Sequence, residues 1–513
     1  MNGAESLVRS LLASGVDTCF ANPGTSEMHF VAALDQIPGM RCVLGLFEGV
    51  VTGAADGYGR MTDKPAAVLL HCGPGLANGL ANLHNARRAR TPVVNIVGDQ
   101  ATYHSHLDPP LAADAEGWAR PVSAWVRTST TPDAVGADAA AAVQASLVEP
   151  GGVATLILPS DVCWDPGGVV AGPMAVASAP KVDHQALSVA ADLLRNGRPT
   201  VIFLGGKALR AAPLEVANRI ARATGARLLT PSSNARVERG AGRHPVTRMP
   251  YPLDQAIAAF AGTANVILLG APAPVAFFAY PGKPQHPMPA SAMVHVLARP
   301  EHDLTDALER LADLLGAREA APPLARAVVE PAGGAVSSEA IAQTLTALLP
   351  EHAIVVDESI TAGRAFFPGM EAAAPHDWLQ LTGGAIGEGI PLAVGAAVGA
   401  PGRRVVNLQA DGSAMYTAQG LWTQAREGLD VTTVILSNRK YAILLGEFAA
   451  VGARPGQVAR DMMSLENPTI DWVRFGESLG VESARADTME RFADLLSSSF
   501  SRRGPQLIEL VLP

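Results

Sequence analysis

A carboxylate and an amide stand in this sequence where a metal ion and a diphosphate could bind together. Asp411 ends an apolar run and is the only charged residue between Arg404 and Arg426. Asn438 ends the next apolar run 27 positions later, which fits one strand–helix–strand crossover of roughly 30 residues. Because ligands bind beyond the carboxyl ends of parallel strands, both side chains would face one site. Two hard oxygen ligands suit Mg²⁺, and diphosphate oxygens can complete its octahedral shell.

The residues after Asp411 allow two interpretations. Gly412 and Ser413 open a helical pattern, and the N-terminal amides of a helix favour a phosphate group. An aspartate–glycine pair after a strand is also an ordinary helix cap in α/β proteins. The asparagine at one crossover's distance favours the metal and the diphosphate.

A second carboxylate, Glu48, follows a short apolar strand and opens a predicted helix. Glycines recur at every fourth position of that helix, Gly49, Gly53 and Gly57. Such a stripe lets another backbone approach closely. A glutamate in the first turn also suits the positive end of a helix dipole or a solvated face, so the position alone leaves its role open.

Strand-like apolar runs alternate with helical patterns along the chain, which is typical of doubly wound parallel sheets. Two segments rich in Pro, Gly and Ala, 163–183 and 319–338, are predicted to be linkers. The sequence therefore predicts an α/β protein of three doubly wound parallel-sheet domains, at residues 1–165, 184–320 and 335–513.

The composition argues against several classes of protein. Hydrophobic residues make up 48% of the 513 residues and charged residues 17%, enough for large cores. The net charge of −9, without a Lys/Arg-rich run, disfavours a nucleic-acid partner. No apolar stretch approaches the roughly 20 residues of a membrane span, and the first residues do not resemble a signal peptide. Four scattered cysteines without CxxC spacing fit a reduced, cytoplasmic protein without a zinc site of paired thiolates.

The aspartate–glycine pair and the distant asparagine resemble the thiamine diphosphate motif of the decarboxylase and acetolactate synthase superfamily. That motif normally reads Gly-Asp-Gly and Asn-Asn, whereas this chain has Ala410 and Ser437 at the flanking positions. Neither change removes a ligand oxygen. The resemblance covers essentially the whole chain and is strongest to the benzoylformate decarboxylase branch and to proteins labelled acetolactate synthase large subunits. The matching segments, in chain order, are ANPGTSEMHF, AADGYGR, VLLHCGPGLANGLANLHNA, VVDESITAG, LTGGAIGEGIPLAVGAA, ADGSAMYTAQGLWTQA and LSNRKYAIL.

The resemblance implies that the first domain binds the pyrimidine ring of thiamine diphosphate and that the third binds its diphosphate, with a central domain between them. Asp411, Asn438 and the backbone carbonyl of Lys440 would hold Mg²⁺. Ile386 would wedge the cofactor into its bent conformation. The other residues implied to contact the cofactor are Ser359, Thr361, Gly412, Ser413 and Tyr441.

The first domain would supply the catalytic side chains. By resemblance, Glu48 hydrogen-bonds the aminopyrimidine ring and promotes the tautomer that removes the C2 proton. The family completes this site with a neighbouring subunit, which implies a homodimer at minimum and predicts a homotetramer. His71 matches the family's proton-transfer histidine, and Gly24 and Thr25 match its substrate pocket. A lone histidine at a strand end is more often structural, but the Gly-Pro-Gly after His71 favours the catalytic role.

One position departs from the benzoylformate decarboxylase branch. Phe277, in GAPAPVAFFAYPG, stands where that branch has a second catalytic histidine, and no histidine follows until His286. Phe277 would exclude water from the substrate pocket together with Phe278, Ile443 and Leu444. Either the proton-transfer steps are distributed differently among the residues of this site, or the substrate is not an arylglyoxylate.

The expected function is decarboxylation of a small 2-oxo acid through a C2 carbanion and an enamine. The main alternative is an acetolactate synthase-type carboligase, although Leu46–Phe47 replaces the synthases' usual Arg-His before the catalytic glutamate. The family's synthases also bind FAD, which stays open because the middle domain has no GxGxxG fingerprint. A cysteine hydrolase using Cys72 and His71 is disfavoured, because neighbouring residues at a strand end should point to opposite faces. A non-catalytic homologue is the remaining alternative.

Overall fold

The computed structural model describes all 513 residues, and its strands form three β-sheets. All strand pairs are parallel except one, at the edge of the third sheet. The predicted α/β class with parallel sheets is therefore confirmed. No helix combines the length and the apolar character needed to cross a bilayer.

The first sheet has six strands in the order β2-β1-β3-β4-β6-β5. Its strands are β1 (Thr18–Ala21), β2 (Arg41–Leu44), β3 (Ala66–Leu70), β4 (Val93–Asp99), β5 (Trp125–Thr128) and β6 (Val153–Pro159). Its helices are α1 (Gly3–Ala13), α2 (Met28–Gln36), α3 (Glu48–Thr62), α4 (Cys72–Ala89), α5 (Ala115–Ala119), α6 (Val135–Leu147) and α7 (Ser160–Trp164).

The second sheet has five strands in the order β10-β8-β7-β11-β12. The strands from this part of the chain are β7 (Thr200–Leu204), β8 (Arg227–Thr230), β9 (Val237–Arg239), β10 (Thr247–Arg248), β11 (Asn265–Leu269) and β12 (Met293–Ala298). The helices are α8 (His184–Arg195), α9 (Ala211–Thr224), α10 (Leu253–Ala259) and α11 (Leu304–Leu315).

The third sheet has seven strands in the order β17-β18-β16-β15-β13-β14-β9. Its own strands are β13 (Ala353–Glu358), β14 (His376–Gln380), β15 (Val405–Ala410), β16 (Val431–Ser437), β17 (Glu482–Ala486) and β18 (Gln506–Val511). Its helices are α12 (Ser338–Leu348), α13 (Phe366–Gly369), α14 (Gly389–Gly399), α15 (Asp411–Ala414), α16 (Gly420–Arg426), α17 (Ala442–Ala450), α18 (Gln457–Met463), α19 (Trp472–Ser478) and α20 (Met489–Ser501). Four short 3₁₀ helices complete the chain, at Thr25–Glu27, Ser105–Leu107, Arg120–Val122 and Gly206–Leu209.

The central strands are continuous apolar runs because helices cover both faces of a parallel sheet. All seven residues of β6 and all seven of β16 are buried. The third sheet also shares hydrophobic cores with both of the others. One cluster of 50 buried residues joins it to the second sheet, and another of 31 joins it to the first.

Helices α3 and α14 cross closely because glycines stand at their contact. A Cβ placed on Gly57 would lie 2.1 Å from the carbonyl oxygen of Leu392. On the facing helix, a Cβ on Gly395 would lie 1.8 Å from the carbonyl oxygen of Ala54. Only the hydrogen atom of glycine fits at either position. The glycines of α3 therefore let the backbone of α14 approach closely, as the glycine stripe predicted.

The edge strand β9 was not predicted from the sequence. It lies between β8 and β10 in the chain, yet it pairs with β14 of the third sheet in the antiparallel sense. A strand of three residues is too short to show an alternating pattern, and its partner strand is more than a hundred positions away. Tertiary contact, rather than local sequence, decides this pairing.

The two segments predicted to be linkers contain neither helices nor strands. Nothing regular lies between Trp164 and His184 except an isolated bridge at Pro166, and nothing between Leu315 and Ser338. Each sheet is thus preceded or followed by a stretch of irregular chain.

Candidate active site

Asp411 and Asn438 follow the ends of neighbouring strands. Strands β15 and β16 are paired in parallel up to Ala410 and Leu436. The backbone N–H of Arg439 donates a hydrogen bond of 2.6 Å to Oδ2 of Asp411. The structure therefore brings together the two loops that the crossover spacing predicted to be neighbours.

The environment of Asp411 fits a divalent cation. The side chain is only 3% exposed, and burial raises the pKa of its carboxyl group. Its hydrogen-bond donors are backbone amides, those of Gly412 (2.8 Å) and Arg439, and no lysine or arginine side chain forms an ion pair with it. A buried carboxylate without a cationic partner is costly unless a charge such as Mg²⁺ compensates it. Oδ1 of Asn438, held by the N–H of Lys440 (3.1 Å), adds a second hard oxygen nearby.

The helix expected at Gly412 and Ser413 is present but short. Helix α15 is a single turn, so little helix dipole reaches a phosphate bound there. The hydroxyl of Ser413 is also engaged inside the protein, donating to the carbonyl of Ala410 (3.1 Å) and accepting from Nε2 of Gln409 (2.6 Å). The ring of Tyr441 covers this turn, since a Cβ on Gly412 would lie 2.5 Å from it.

The loop that carries Ile386 is anchored by a buried glutamate. Glu358, at the end of β13, accepts hydrogen bonds from the N–H groups of Gly387 and Gly389, both 2.6 Å. Gln409 donates a third at 3.0 Å. Burial raises the pKa of Glu358, and the three donors compensate part of the cost of its charge. Ile386 itself is half-buried.

Ser359 and Thr361 lie in the loop after β13. The hydroxyl of Ser359 is buried and donates to Oδ1 of Asp357 at 2.5 Å. Thr361 is partly exposed, and Ile360 between them has a positive φ of 53°. The loop is thus bent sharply, with the serine side chain turned toward the sheet.

Glu48 is the first residue of α3, as predicted. Its Oε2 accepts a hydrogen bond of 3.0 Å from the side-chain amide of Asn78 on α4. A Cβ on Gly75 would lie 3.1 Å from its Oε1. The carboxylate is therefore held in place by α4 while the side chain stays partly exposed.

His71 is paired with a buried glutamate that the sequence did not single out. Its Nδ1 lies 2.9 Å from Oε2 of Glu27, and the same oxygen accepts from the N–H of Gly24 at 2.8 Å. A Cβ on Gly24 would lie 2.1 Å from the imidazole ring, so the predicted pocket residues Gly24 and exposed Thr25 lie beside His71. With Nδ1–H donating to Glu27, Nε2 is free to exchange a proton.

The structure corrects the expectation that Cys72 and His71 point apart. Cys72 has a positive φ of 49° where α4 begins, and this turn brings its Sγ within 4.8 Å of ligand atoms of His71 and Glu27. The hydroxyl of Ser26 lies 3.0 Å from that Sγ. Burial raises the pKa of the thiol to about 11, although the hydrogen bond with Ser26 opposes the rise. A protonated thiol is a poor nucleophile, so the hydrolase interpretation is still disfavoured, for a different reason.

Phe277 lies near the Ile386 loop and is more exposed than expected. A Cβ on Gly384 would lie 3.2 Å from Cζ of Phe277. Phe277 and Phe278 are 52% and 56% exposed, so within one chain they do not seal the pocket. His286 is exposed and hydrogen-bonds the carbonyl of Pro274 at 3.0 Å.

Residues 1–119 match the thiamine pyrophosphate enzyme N-terminal TPP binding domain, and residues 363–510 match the C-terminal TPP binding domain. The chain is 52% identical, over 100% of its length and 99% of the other, to IlvX of Mycobacterium tuberculosis, which is provisionally named an acetolactate synthase large subunit. It is 28% identical to the benzoylformate decarboxylase of Pseudomonas aeruginosa, over 97% and 96% of the two chains.

A solved structure gives the same result. The thiamine diphosphate-dependent 4-hydroxybenzoylformate decarboxylase of Rhodococcus jostii superimposes with a TM-score of 0.85 at 25% identity, over 100% of this chain and 99% of the other. The chain belongs to the thiamine diphosphate-dependent enzymes, in the family of decarboxylases and acetolactate synthases.

Proposed function

We propose that the protein is a thiamine diphosphate- and Mg²⁺-dependent decarboxylase of 2-oxo acids. The observation that carries this proposal is the hydrogen-bonded pair of His71 and Glu27 (2.9 Å). A decarboxylase must deliver a proton to the carbon that has lost CO₂, whereas a synthase joins that carbon to a second substrate. A histidine held in one tautomer by a buried carboxylate suits proton delivery.

Mg²⁺ and the diphosphate are proposed to bind at the ends of β15 and β16. Asp411, Asn438 and the carbonyl of Lys440 would hold the metal, and the backbone of Gly412 and Ser413 would face the phosphates. The ring of Tyr441, which packs on Gly412, would cover them. When bound, thiamine diphosphate supplies a nucleophilic carbon and an electron sink for the bond that releases CO₂.

Glu48 is proposed to hydrogen-bond the pyrimidine ring of the cofactor. The hydrogen bond from Asn78 (3.0 Å) fixes the direction of the carboxylate, which supports an orienting role. His71, Gly24 and Thr25 would face the substrate from the same domain. On the other side, Ile386 and the loop of Ser359 and Thr361 would position the cofactor, and Phe277 would contact the substrate.

Two copies of the chain are proposed to share each site, and two dimers to form a tetramer. Large apolar side chains next to the metal loop are exposed in the single chain, and this supports a partner surface there. They are Met415 (44% exposed), Tyr416 (52%) and Leu444 (44%). The first domain of a second subunit, with its Glu48, would cover them.

The test is CO₂ release by the purified protein with thiamine diphosphate and Mg²⁺. Pyruvate, 2-oxobutyrate, branched 2-oxo acids and benzoylformate would be compared, and the products identified. An aldehyde formed with CO₂ is the expected result. No CO₂ from any acid, despite tight cofactor binding, would contradict the proposal.

The second candidate is an acetolactate synthase-type carboligase, favoured by the 52% identity to IlvX. In that case the same assay would yield acetolactate or another 2-hydroxy ketone in place of the aldehyde. The absence of a histidine at Phe277 would then follow naturally, because less protonation would be needed.

A further inference from the structure

A partly exposed group of aromatic rings lies between the Ile386 loop and helix α17. We call it the aromatic cluster, and its members are Tyr251, Phe277, Phe278 and Tyr280. The ring centroids of Tyr251 and Phe277 are 5.1 Å apart, and those of Phe277 and Phe278 are 4.9 Å apart. Phe277 also contacts the loop at Gly384.

Helix α17 places one carboxylate against this cluster. The helix reads AILLGEFAA, has no buried residue, and begins directly after Tyr441. Its only charged residue, Glu447, accepts hydrogen bonds from the hydroxyls of Tyr251 (3.3 Å) and Tyr280 (3.1 Å). Burial, followed by the charge of Glu447, raises the pKa of both tyrosines, so both hydroxyls stay protonated as donors.

The negative charge of Glu447 has no cationic partner in the chain. Its two hydrogen bonds come from neutral tyrosines. Lys283, the lysine of the same loop as Phe277, instead donates to both oxygens of Asp254 at 2.7 and 2.6 Å. A carboxylate oxygen can accept more than one hydrogen bond, so both oxygens of Glu447 retain capacity for a ligand.

We propose that Glu447 and the aromatic cluster form a subsite for a positively charged side chain of the 2-oxo acid, a guanidinium or an ammonium group. This inference rests on the proposed function. Aromatic faces attract cations through their quadrupole, and a carboxylate pairs with a guanidinium through two parallel hydrogen bonds. A neutral, apolar side chain would instead desolvate the carboxylate without compensating its charge.

The experiment compares two substrates of the holoenzyme that differ in charge, 2-oxo-5-guanidinopentanoate and 2-oxohexanoate. The ratio of their kcat/KM values is the readout. The wild type should favour the guanidino acid at least tenfold, and Glu447→Gln should reduce that ratio about tenfold or more, which corresponds to ~1.4 kcal/mol. Glu477→Gln is the matched control, because Glu477 is exposed on α19 and its variant removes the same charge without changing the ratio.

A merely structural role for Glu447, as a tether between α17 and the tyrosines, predicts a different result. The amide of Glu447→Gln could still accept from one tyrosine hydroxyl and donate to the other, or a loosened helix would slow both substrates in proportion. A ratio unaffected by the substitution, or a wild type without preference for the guanidino acid, overturns the proposal. If Glu447→Gln does not fold, Phe277→Leu keeps an apolar side chain, removes the aromatic face and should lower the same ratio.

A binding measurement separates this inference from the proposed function. If no 2-oxo acid releases CO₂, the decarboxylase proposal fails, and calorimetry of the holoenzyme with 5-guanidinopentanoate and hexanoate decides the subsite. Binding of the guanidino compound at least ten times tighter, and lost in Glu447→Gln, supports it. Equal binding of the two compounds, or none of either, overturns it.

Discussion

Four carboxylates around the candidate site have different partners, and these partners determine what each can do. Asp411 accepts hydrogen bonds from backbone amides, which leaves its charge without a cationic partner. Glu358 is fully engaged in holding the Ile386 loop. Glu27 is engaged by His71, and Glu48 by a single amide on α4. A carboxylate thus anchors a loop in Glu358 and pairs with a side chain in Glu27 and Glu48, whereas that of Asp411 is the one proposed to bind a metal.

Substituting Glu48 by Gln should lower kcat by about 10²- to 10⁴-fold, the range typical of a lost acid–base group. The cofactor should still bind, because the proposed metal and diphosphate ligands are on the third domain. Steady-state CO₂ release and calorimetric binding of thiamine diphosphate would measure the two effects separately. Full activity in this variant would contradict the role assigned to Glu48.

Substituting Glu27 by Gln should lower kcat by about 10- to 100-fold, because the imidazole of His71 loses its charged hydrogen-bond partner. Glu27 acts through His71, so cofactor affinity should not change. Rapid-quench measurement of product release would report the effect. A variant that loses cofactor binding and activity together would instead indicate that Glu27 is needed only for folding.

Sequence reasoning singled out the candidate ligands but not the residues that hold them in place. Asp411, Asn438 and Glu48 stand at ends of apolar runs, where one-dimensional patterns are informative. Glu27 and His71 are 44 positions apart, and no local pattern links them. Hydrogen bonds of this kind depend on how strands are ordered in a sheet, which single-sequence periodicity does not report.

At the scale of elements, the crossing of α3 and α14 should be intolerant of any side chain. Gly395→Ala would place a methyl group 1.8 Å from a backbone oxygen, and the helices must separate, at a cost of about 3 kcal/mol or more. Thermal unfolding followed by circular dichroism would measure the loss.

Gly446→Ala is the control for this crossing. Gly446 is also helical, but a Cβ placed on it would have no neighbouring atom within 4 Å. Alanine should there be neutral or stabilise by up to about 1 kcal/mol through helix propensity. Equal destabilisation by both substitutions would show that the glycines of α3 and α14 have no special packing role.

Strand β14 introduces a pH dependence of stability. Burial, followed by the charge of Arg239, lowers the pKa of His376 to about 3 from 6.5. As the pH falls from 6.5 to about 3, this histidine takes up a proton in the unfolded chain but not in the folded chain. The free energy of unfolding therefore decreases as the pH falls through this range. The slope is at most about 1.4 kcal/mol per pH unit.

Unfolding temperatures at about pH 7 and pH 5 would test this effect. His376→Asn retains a donor for the carbonyl of Ala374, which His376 contacts at 2.7 Å, but it does not titrate. The variant should lose less stability between the two pH values than the wild type. An identical loss would exclude His376 as the source.

For the whole molecule, the shared site can be tested by mixing inactive subunits. Glu48→Gln and Asp411→Asn chains, each inactive alone, would be refolded together. If each site uses Glu48 of one copy and Asp411 of the other, half of the random dimers contain one intact site, which gives about a quarter of wild-type activity. A site within one chain would always carry one of the substitutions, and mixing would restore nothing.

The sequence predicted the class of fold and the alternation of strands and helices over the whole chain. The long strands β3, β4, β6, β15 and β16 were found because buried parallel strands are unbroken apolar runs. A helix does begin at Asp411, but the pattern did not show that it is a single turn, since glycine and small residues continue a helical pattern where the chain turns. The edge strand β9 was missed because its pairing is set by distant contacts.

Strand β9 also limits how the protein can be taken apart. It closes one edge of the third sheet although it comes from the central part of the chain. The preceding residue, Arg236, donates to Asp377 of β14 at 2.5 Å and to the backbone of Arg60 on α3 at 3.1 Å, which ties the central part of the chain to the first and third parts. The domains are therefore not interchangeable modules. A chimera that exchanges the central domain must bring a compatible β9 with it, or it leaves β14 as an unprotected edge open to aggregation.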